Sequence, residues 1–169
     1  SHATTFDNEA HRASGWFNVD LSPLGEQQAK DLGTRYAVKH LDAVFCSDLK
    51  RSWRTAELAF AGRNITIIRD ARLRECDYGD FTRRPSAEND IEKANRITTP
   101  FPNGESYEQT TARMKEFLGE LAKKYDGKTV MIIGHRATQY ALEYLINGVP
   151  LHDAVMAPWS WQLGWLYNF

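Results

Sequence analysis

A chain of 169 residues with 42% hydrophobic and 25% charged residues has the length of one domain and enough apolar material for one core. Its net charge of −1, with both signs interspersed, excludes recruitment of nucleic acid or an anionic membrane by bulk charge, so any affinity for phosphate must be local. Cys46 and Cys76 fit no metal-ligand or redox spacing and suggest a reducing, cytoplasmic setting. No apolar run reaches the roughly 18 residues of a membrane span, and no signal-peptide pattern occurs.

In chain order, Ser22-Pro23-Leu24-Gly25-Glu26 predicts a helix start, with Ser22 as N-cap and Pro23 at the first helical position, running to about Lys39. Leu41 to Cys46 reads as a short buried strand, and Ser47 opens a second helix to about Phe60. Asn64 to Ile68, rich in β-branched residues, reads as a strand. Residues 72 to 103, with Pro85, Pro100 and Pro102, read as an irregular excursion with a helical piece near 86–96. Ser106 to Tyr125 carries Met114, Phe117, Leu118 and Leu121 at helical spacing. Asp126-Gly127 is a turn, Val130 to Ile133 a fully buried strand, and Thr138 to Asn147 a helix closed by Gly148. Trp161 to Tyr167 predicts a final strand, with Trp159, Trp161, Trp165 and Tyr167 alternating as core or interface packing.

Alternating strands and helices predict an α/β fold: a three-layer α/β/α sandwich whose mostly parallel sheet carries helices on both faces. No repeat, low-complexity tract or linker divides the chain, so residues 1–169 are expected to form one domain. Functional groups of such sheets gather beyond the carboxyl ends of the strands. His135 follows the Val130–Ile133 strand and the Ser47–Arg51 segment follows the Leu41–Cys46 strand, which puts both on one rim. His2 has no strand before it. A sheet without its first central strand exposes neighbouring edges, so the sequence reads as starting a few residues inside a longer polypeptide.

Two histidines, an arginine and a glutamate near strand ends are the parts that phosphoryl transfer through histidine needs. A nucleophilic histidine must be held in one tautomer, among donors that grip the phosphate oxygens. A second histidine and an arginine stabilise the equatorial charge, and a carboxylic acid protonates the leaving oxygen. His2, Arg51, His135 and Glu75 match those four roles by type. Each has a structural alternative: a core histidine, a solvated arginine, or a glutamate paired with Arg72 or Arg74.

The order of the surrounding motifs resembles the histidine phosphatase superfamily, which includes the cofactor-dependent phosphoglycerate mutases. The matching stretches are His2, Thr5, Asn8, Arg12, Gly15-Trp16 and Asp20-Leu21-Ser22-Pro23-Leu24-Gly25; then Ser47-Asp48-Leu49-Lys50-Arg51 with Thr55-Ala56; then Leu73-Arg74-Glu75 with Gly79; then Gly104-Glu105-Ser106; and finally Gly134-His135. The resemblance spans residues 1 to 146. It implies that His2 accepts the phosphoryl group, that Glu75 is the acid, and that Arg51 and His135 hold the phosphoryl oxygens. It further implies that Asn8 faces the phosphate and that Ser14 and Gly15 line the substrate side. No cofactor and no metal is expected.

Three positions depart from the family's pattern. Ser1 stands where the family has arginine, Ala3 where it has glycine, and Arg136 where glycine follows the second histidine. Arg136 is the candidate replacement for the missing guanidinium, its alternative being a surface charge paired with a carboxylate. Arg83-Arg84 is a weaker candidate for holding a second anionic group. The expected function is hydrolysis of small phosphomonoesters through a phosphohistidine. The alternatives are a degenerate phospho-ligand or protein-binding module of the same fold, and a mutase-type phosphotransferase. The expected partners are a small phosphorylated substrate and, through the aromatic C-terminal segment, a second copy in a homo-oligomer; neither nucleic acid nor membrane is expected.

Overall fold

The structure, a computed structural model, describes residues 1–160 and 162–169. Three parallel strands, β1 (Ala43–Cys46), β2 (Ile67–Arg69) and β3 (Val130–Ile133), run in the order β2-β1-β3. Phe45 sits between Ile68 and Ile132 in register. The helices are α1 (Phe6–Glu9), α2 (Pro23–Arg35), α3 (Lys50–Ala59), α4 (Ser86–Glu92), α5 (Tyr107–Lys124), α6 (Arg136–Leu145) and α7 (Leu151–Met156).

Strand β1 has every residue buried, and its alternation divides the core between two faces. Ala43 and Phe45 pack with Met114, Phe117, Leu118 and Leu121 of α5 and with Ala141 and Leu142 of α6. Val44 and Cys46 point the other way, to Ala56 and Ala59 of α3, to Phe60, and to Leu32 of α2. Helices therefore cover both faces, as the alternation of apolar runs predicted. The α2 start is also as read: Ser22 accepts from Gly25 N–H at 3.2 Å and Pro23 opens the helix.

Several boundaries differ, each for a local reason. Helix α2 stops at Arg35, where Arg63 donates to the freed carbonyls of Tyr36 (2.9 Å) and Lys39 (3.0 Å). The second strand covers Ile67–Arg69 only. Strand β3 has the predicted bounds, but only Ile133 is fully buried, since β1 is its one strand neighbour among the described residues. Residues 162–167 form no strand; Trp165 instead meets Trp159, ring centroids 5.5 Å apart, and Tyr167 donates its hydroxyl to Glu143 at 2.7 Å. Trp161 lies outside the described residues. The short helices α1 and α7 carry no apolar periodicity long enough to announce them.

Candidate active site

The carboxyl ends of β1 and β3 deliver the first two groups. Strand β3 runs through Gly134 into His135, which N-caps α6 and donates its backbone N–H to Thr138 Oγ1 at 3.0 Å. A side chain on Gly134 would lie 2.6 Å from that same hydroxyl, so glycine lets the strand pass this close to the helix. Strand β1 runs into Ser47, whose hydroxyl lies 2.7 Å from His135 Nε2 and also accepts the Leu49 N–H at 3.3 Å. With His135 Nε2 the hydrogen-bond partner of the Ser47 hydroxyl proton, the imidazole proton falls on Nδ1. That Nδ1 is buried and has no partner among the described residues.

The N-terminal segment crosses the same rim. His2 N–H donates to the Gly134 carbonyl at 3.0 Å, and Ala3 N–H donates to Thr55 on α3 at 3.0 Å. The His2 ring lies 5.0 Å from that of His135, centroid to centroid. Its Nδ1 is 2.8 Å from the Ala3 carbonyl, which can only accept, so Nδ1 carries the proton and Nε2 keeps the lone pair. Arg51 Nε donates towards that lone pair at 3.3 Å. Burial, with the Arg51 guanidinium beside it, pushes the His2 imidazole down to about 3. Burial and the same neighbour hold His135 well below the usual histidine range.

Arg51, in the first turn of α3, is only 2% exposed. Its guanidinium donates to the carbonyls of Gly15 (2.7 Å) and Phe17 (3.1 Å), and no carboxylate among the described residues pairs with it. Burial lowers its pKa, although Glu75 nearby opposes the shift. A buried cation without a counter-ion attracts an anion into the space before it.

Glu75 reaches that space from the far side. Its Oε1 accepts from Cys76 N–H and Ala137 N–H, both at 3.0 Å, and its Oε2 accepts from Arg136 N–H at 3.2 Å. Two of the donors belong to the first turn of α6, where the helix favours a carboxylate. The backbone behind Glu75 is clamped by Arg113 of α5. All five N–H groups of Arg113 are used, on the carbonyls of Arg72, Arg74 and Glu75 and on both oxygens of Glu105. Trp16 adds a 2.7 Å bond to the Glu75 carbonyl.

These groups border a cleft of about 480 Å³. His2, Arg51 and Glu75 line it, with His135 buried beside His2. Asn8, Ser14, Gly15 and Arg136 line it as well. Asn8 directs its Oδ1 to Thr5, closing the cap of α1, and the Ser14 hydroxyl is 3.2 Å from buried Asp7. Arg136 turns its guanidinium to Asp90 (3.5 Å) and over the Trp159 ring (5.0 Å to the centroid). The Arg83-Arg84 pair is elsewhere: Arg83 is held by Asp7 and Phe17, Arg84 by Asp80, Phe81 and Glu88. Tyr78, Tyr107 and Tyr140 build an aromatic wall, each phenol held in its protonated form by burial. Sequence reading gave no role to Ser47, Arg113 or Asn89, and it read Trp159, which lines the cleft, as packing. Ser47 and Glu105, the partner of Arg113, did stand inside matched motifs. Among the described residues no cluster of His, Cys, Asp or Glu has the arrangement of a metal site, and no helix is long and apolar enough to cross a membrane.

The sequence model of the histidine phosphatase superfamily, branch 1, matches residues 2–161. The chain belongs to this superfamily. Phosphoserine phosphatase 1 of Hydrogenobacter thermophilus is 30% identical over 166 residues, covering 89% of this chain and 75% of the relative. A Bacillus subtilis phosphatase, PhoE, is 31% identical over 147 residues, 87% of this chain and 75% of its own. A 2,3-bisphosphoglycerate-dependent phosphoglycerate mutase of Cytophaga hutchinsonii is 29% identical, covering 92% and 79%. Among solved structures, YhfR of Bacillus stearothermophilus superposes with a TM-score of 0.83 at 26% identity, over 96% of this chain and 84% of that one. Both phosphatases and mutases of the superfamily are thus relatives of this chain.

Proposed function

We propose that this chain is a phosphatase that hydrolyses small phosphomonoesters through a phosphohistidine on His2. The observation that carries the reading is the His2 tautomer: Nδ1–H is spent on the Ala3 carbonyl, and the Nε2 lone pair faces Arg51 at the cleft. An imidazole pushed down to about 3 stays the free base, which a nucleophile must be. In the first step Nε2 attacks phosphorus, the ester P–O bond breaks, and the departing oxygen takes a proton from Glu75. In the second, water attacks the phosphohistidine, Glu75 takes back a proton, and phosphate leaves neutral His2. Oε2, which accepts one N–H bond against two at Oε1, is the oxygen free to exchange that proton with the ester and then with water.

Arg51 and the unpartnered His135 Nδ1 are the donors for the phosphoryl oxygens. Asn8, Ser14 and Gly15 border the substrate. The Ser1 side chain brings no guanidinium next to His2; Arg136 serves in its place by exchanging Asp90 for a phosphoryl oxygen. Hydrolysis is favoured over mutase chemistry because residues 82–103 hold only one short helix and a 3₁₀ turn, rather than a long covering insertion that would exclude water. The test is phosphate release from p-nitrophenyl phosphate and a panel of small phosphorylated metabolites. His2→Ala should lower turnover roughly 10³-fold or more, a base-quenched reaction should trap phosphate on His2, and Arg136→Ala should cost at least about tenfold. Turnover that survives His2→Ala would refute the mechanism. No turnover in the native chain, with phosphate still raising its melting temperature, would make it a binding module.

A further inference from the structure

Helix α4 is built inside out. Ile91 is 76% exposed, whereas Asn89 is 6% exposed and is the one buried residue of the helix. Both Oδ1 and Nδ2 of Asn89 are shielded and have no hydrogen-bond partner among the described residues. Burying an unpaired amide while leaving an isoleucine in water costs stability twice, so packing does not account for this arrangement. Asn89 lines the cleft that holds His2, Arg51 and Glu75.

We infer that Asn89 reads the alcohol portion of the substrate, and that this alcohol is polyhydroxylated, with neighbouring free hydroxyls close to the phosphate. The inference rests on the phosphatase reading of the same cleft. A carboxamide presents one acceptor and one two-proton donor, so its partner must both donate and accept. Adjacent hydroxyls do both. A carboxylate or a second phosphate only accepts, which would satisfy Nδ2 and leave Oδ1 against negative oxygens. An ammonium only donates, and it would enter a cleft lined by Arg12, Arg51, Lys93 and Arg136 against two carboxylates, Glu75 and Asp90. Asp90 is already faced by Arg136 at 3.5 Å and Lys93 at 3.7 Å. When Arg136 leaves Asp90 for the phosphoryl group, Lys93 stays matched to that carboxylate rather than waiting for a second anionic group. A phosphate ester of an uncharged polyol meets these conditions.

The experiment compares kcat/KM for glycerol 1-phosphate and propyl phosphate, which differ by two hydroxyls on the same carbon chain. The native protein should prefer glycerol 1-phosphate by roughly tenfold or more, and Asn89→Ala and Asn89→Leu should each lower that ratio by roughly tenfold. The Leu variant should also melt at or above the native temperature, because it replaces an unsatisfied amide with an apolar side chain of similar volume. An unchanged ratio in both variants overturns the inference, as does a native preference for O-phosphoserine over glycerol 1-phosphate. A drop in melting temperature of more than about 5 °C in Asn89→Leu would show that the amide is already satisfied in the free protein, with the same consequence. Turnover of both esters without preference removes this inference alone. Absence of turnover on both esters and on p-nitrophenyl phosphate removes the phosphatase reading and this one with it.

Discussion

Two neutral imidazoles, His135 buried and His2 half-buried beside it, make the fold sensitive to mild acid. Burial and Arg51 push His2 from the ordinary 6.5 down to about 3, and burial, Arg51 and His2 hold His135 well below 6.5. In the unfolded chain both titrate near 6.5. Above that pH neither state binds the proton and the full stability is present. As pH falls through 6.5 the unfolded chain takes up protons that the folded chain refuses, so stability drops. For His2, a shift from 6.5 to about 3 gives by linkage roughly 2 kcal/mol lost between pH 7 and pH 5, a sizeable part of a domain's usual roughly 5–15 kcal/mol, and His135 adds to the loss in the same direction. The four carboxylates held low by their partners, Asp42, Asp48, Asp70 and Glu120, do not blur this window, because carboxylates titrate below it. Urea unfolding at half-unit pH steps from 7 to 5 measures the effect, with His2→Asn and His135→Asn alongside. The native chain should lose roughly 2 kcal/mol or more at constant m-value, and each variant should lose less than the native chain. A flat native profile, or a slope that neither substitution reduces, would refute the assignment of two neutral imidazoles.

Glu75→Gln should fold less stably and lose activity together. Either orientation of the new amide sets its NH₂ against a backbone N–H that now donates to Glu75, at Ala137 and Cys76 or at Arg136, and removes the proton that the leaving oxygen needs; about 1–3 kcal/mol by urea unfolding and a roughly 10²–10⁴-fold fall in kcat are expected, and a variant with native kcat would exclude Glu75 as the acid. Gly134→Ala places a Cβ 2.6–2.8 Å from the Thr138 side chain, which is short, buried and bonded to both His135 N–H and the Leu73 carbonyl. The expected cost is about 1–3 kcal/mol with a lowered kcat, checked by melting and kinetics; native behaviour in both would show that the strand passes the helix with room to spare.

The parts of this molecule that could be read from its residues are those where local chemistry and tertiary packing agree. Ser22-Pro23 starts α2 and Ser106 starts α5 because their hydroxyls accept from N–H groups three residues on, a bond that needs nothing from the rest of the chain. Strands β1 and β3 are short apolar runs, and alternation along β1 feeds two helical layers, so an α/β sandwich follows. The aromatic alternation near the C-terminus misled because a period of two specifies a strand only where a partner strand exists; Trp159 and Trp165 find each other instead. Helices α1 and α7, of four and six residues, are too short for periodicity to register.

The cleft was legible as a set of residue types and not as an arrangement. Motif order brought His2, Arg51, Glu75 and His135 forward, but nothing in it says that Arg136 turns to Asp90 and Trp159, or that Asn89 is buried while Ile91 is not. Each of these is a place where a general rule of folding is broken. Among the described residues, a guanidinium 2% exposed has no carboxylate, an imidazole equally buried leaves Nδ1 unpartnered, and a carboxamide is shielded with both polar atoms idle. Rules that predict burial from residue type must fail there, since they describe what stabilises a chain on its own. Three such violations gather at one cleft, with one more buried unpartnered atom, Arg96 Nε, away from its lining; the three are what remains when stability is given up locally so that an outside group can complete the hydrogen bonds. The free energy forgone at Arg51, His135 and Asn89 is therefore recoverable by a ligand that carries an anionic head for the first two and hydroxyls for the third. Such a ligand stabilises the fold in proportion to how many of the three it satisfies.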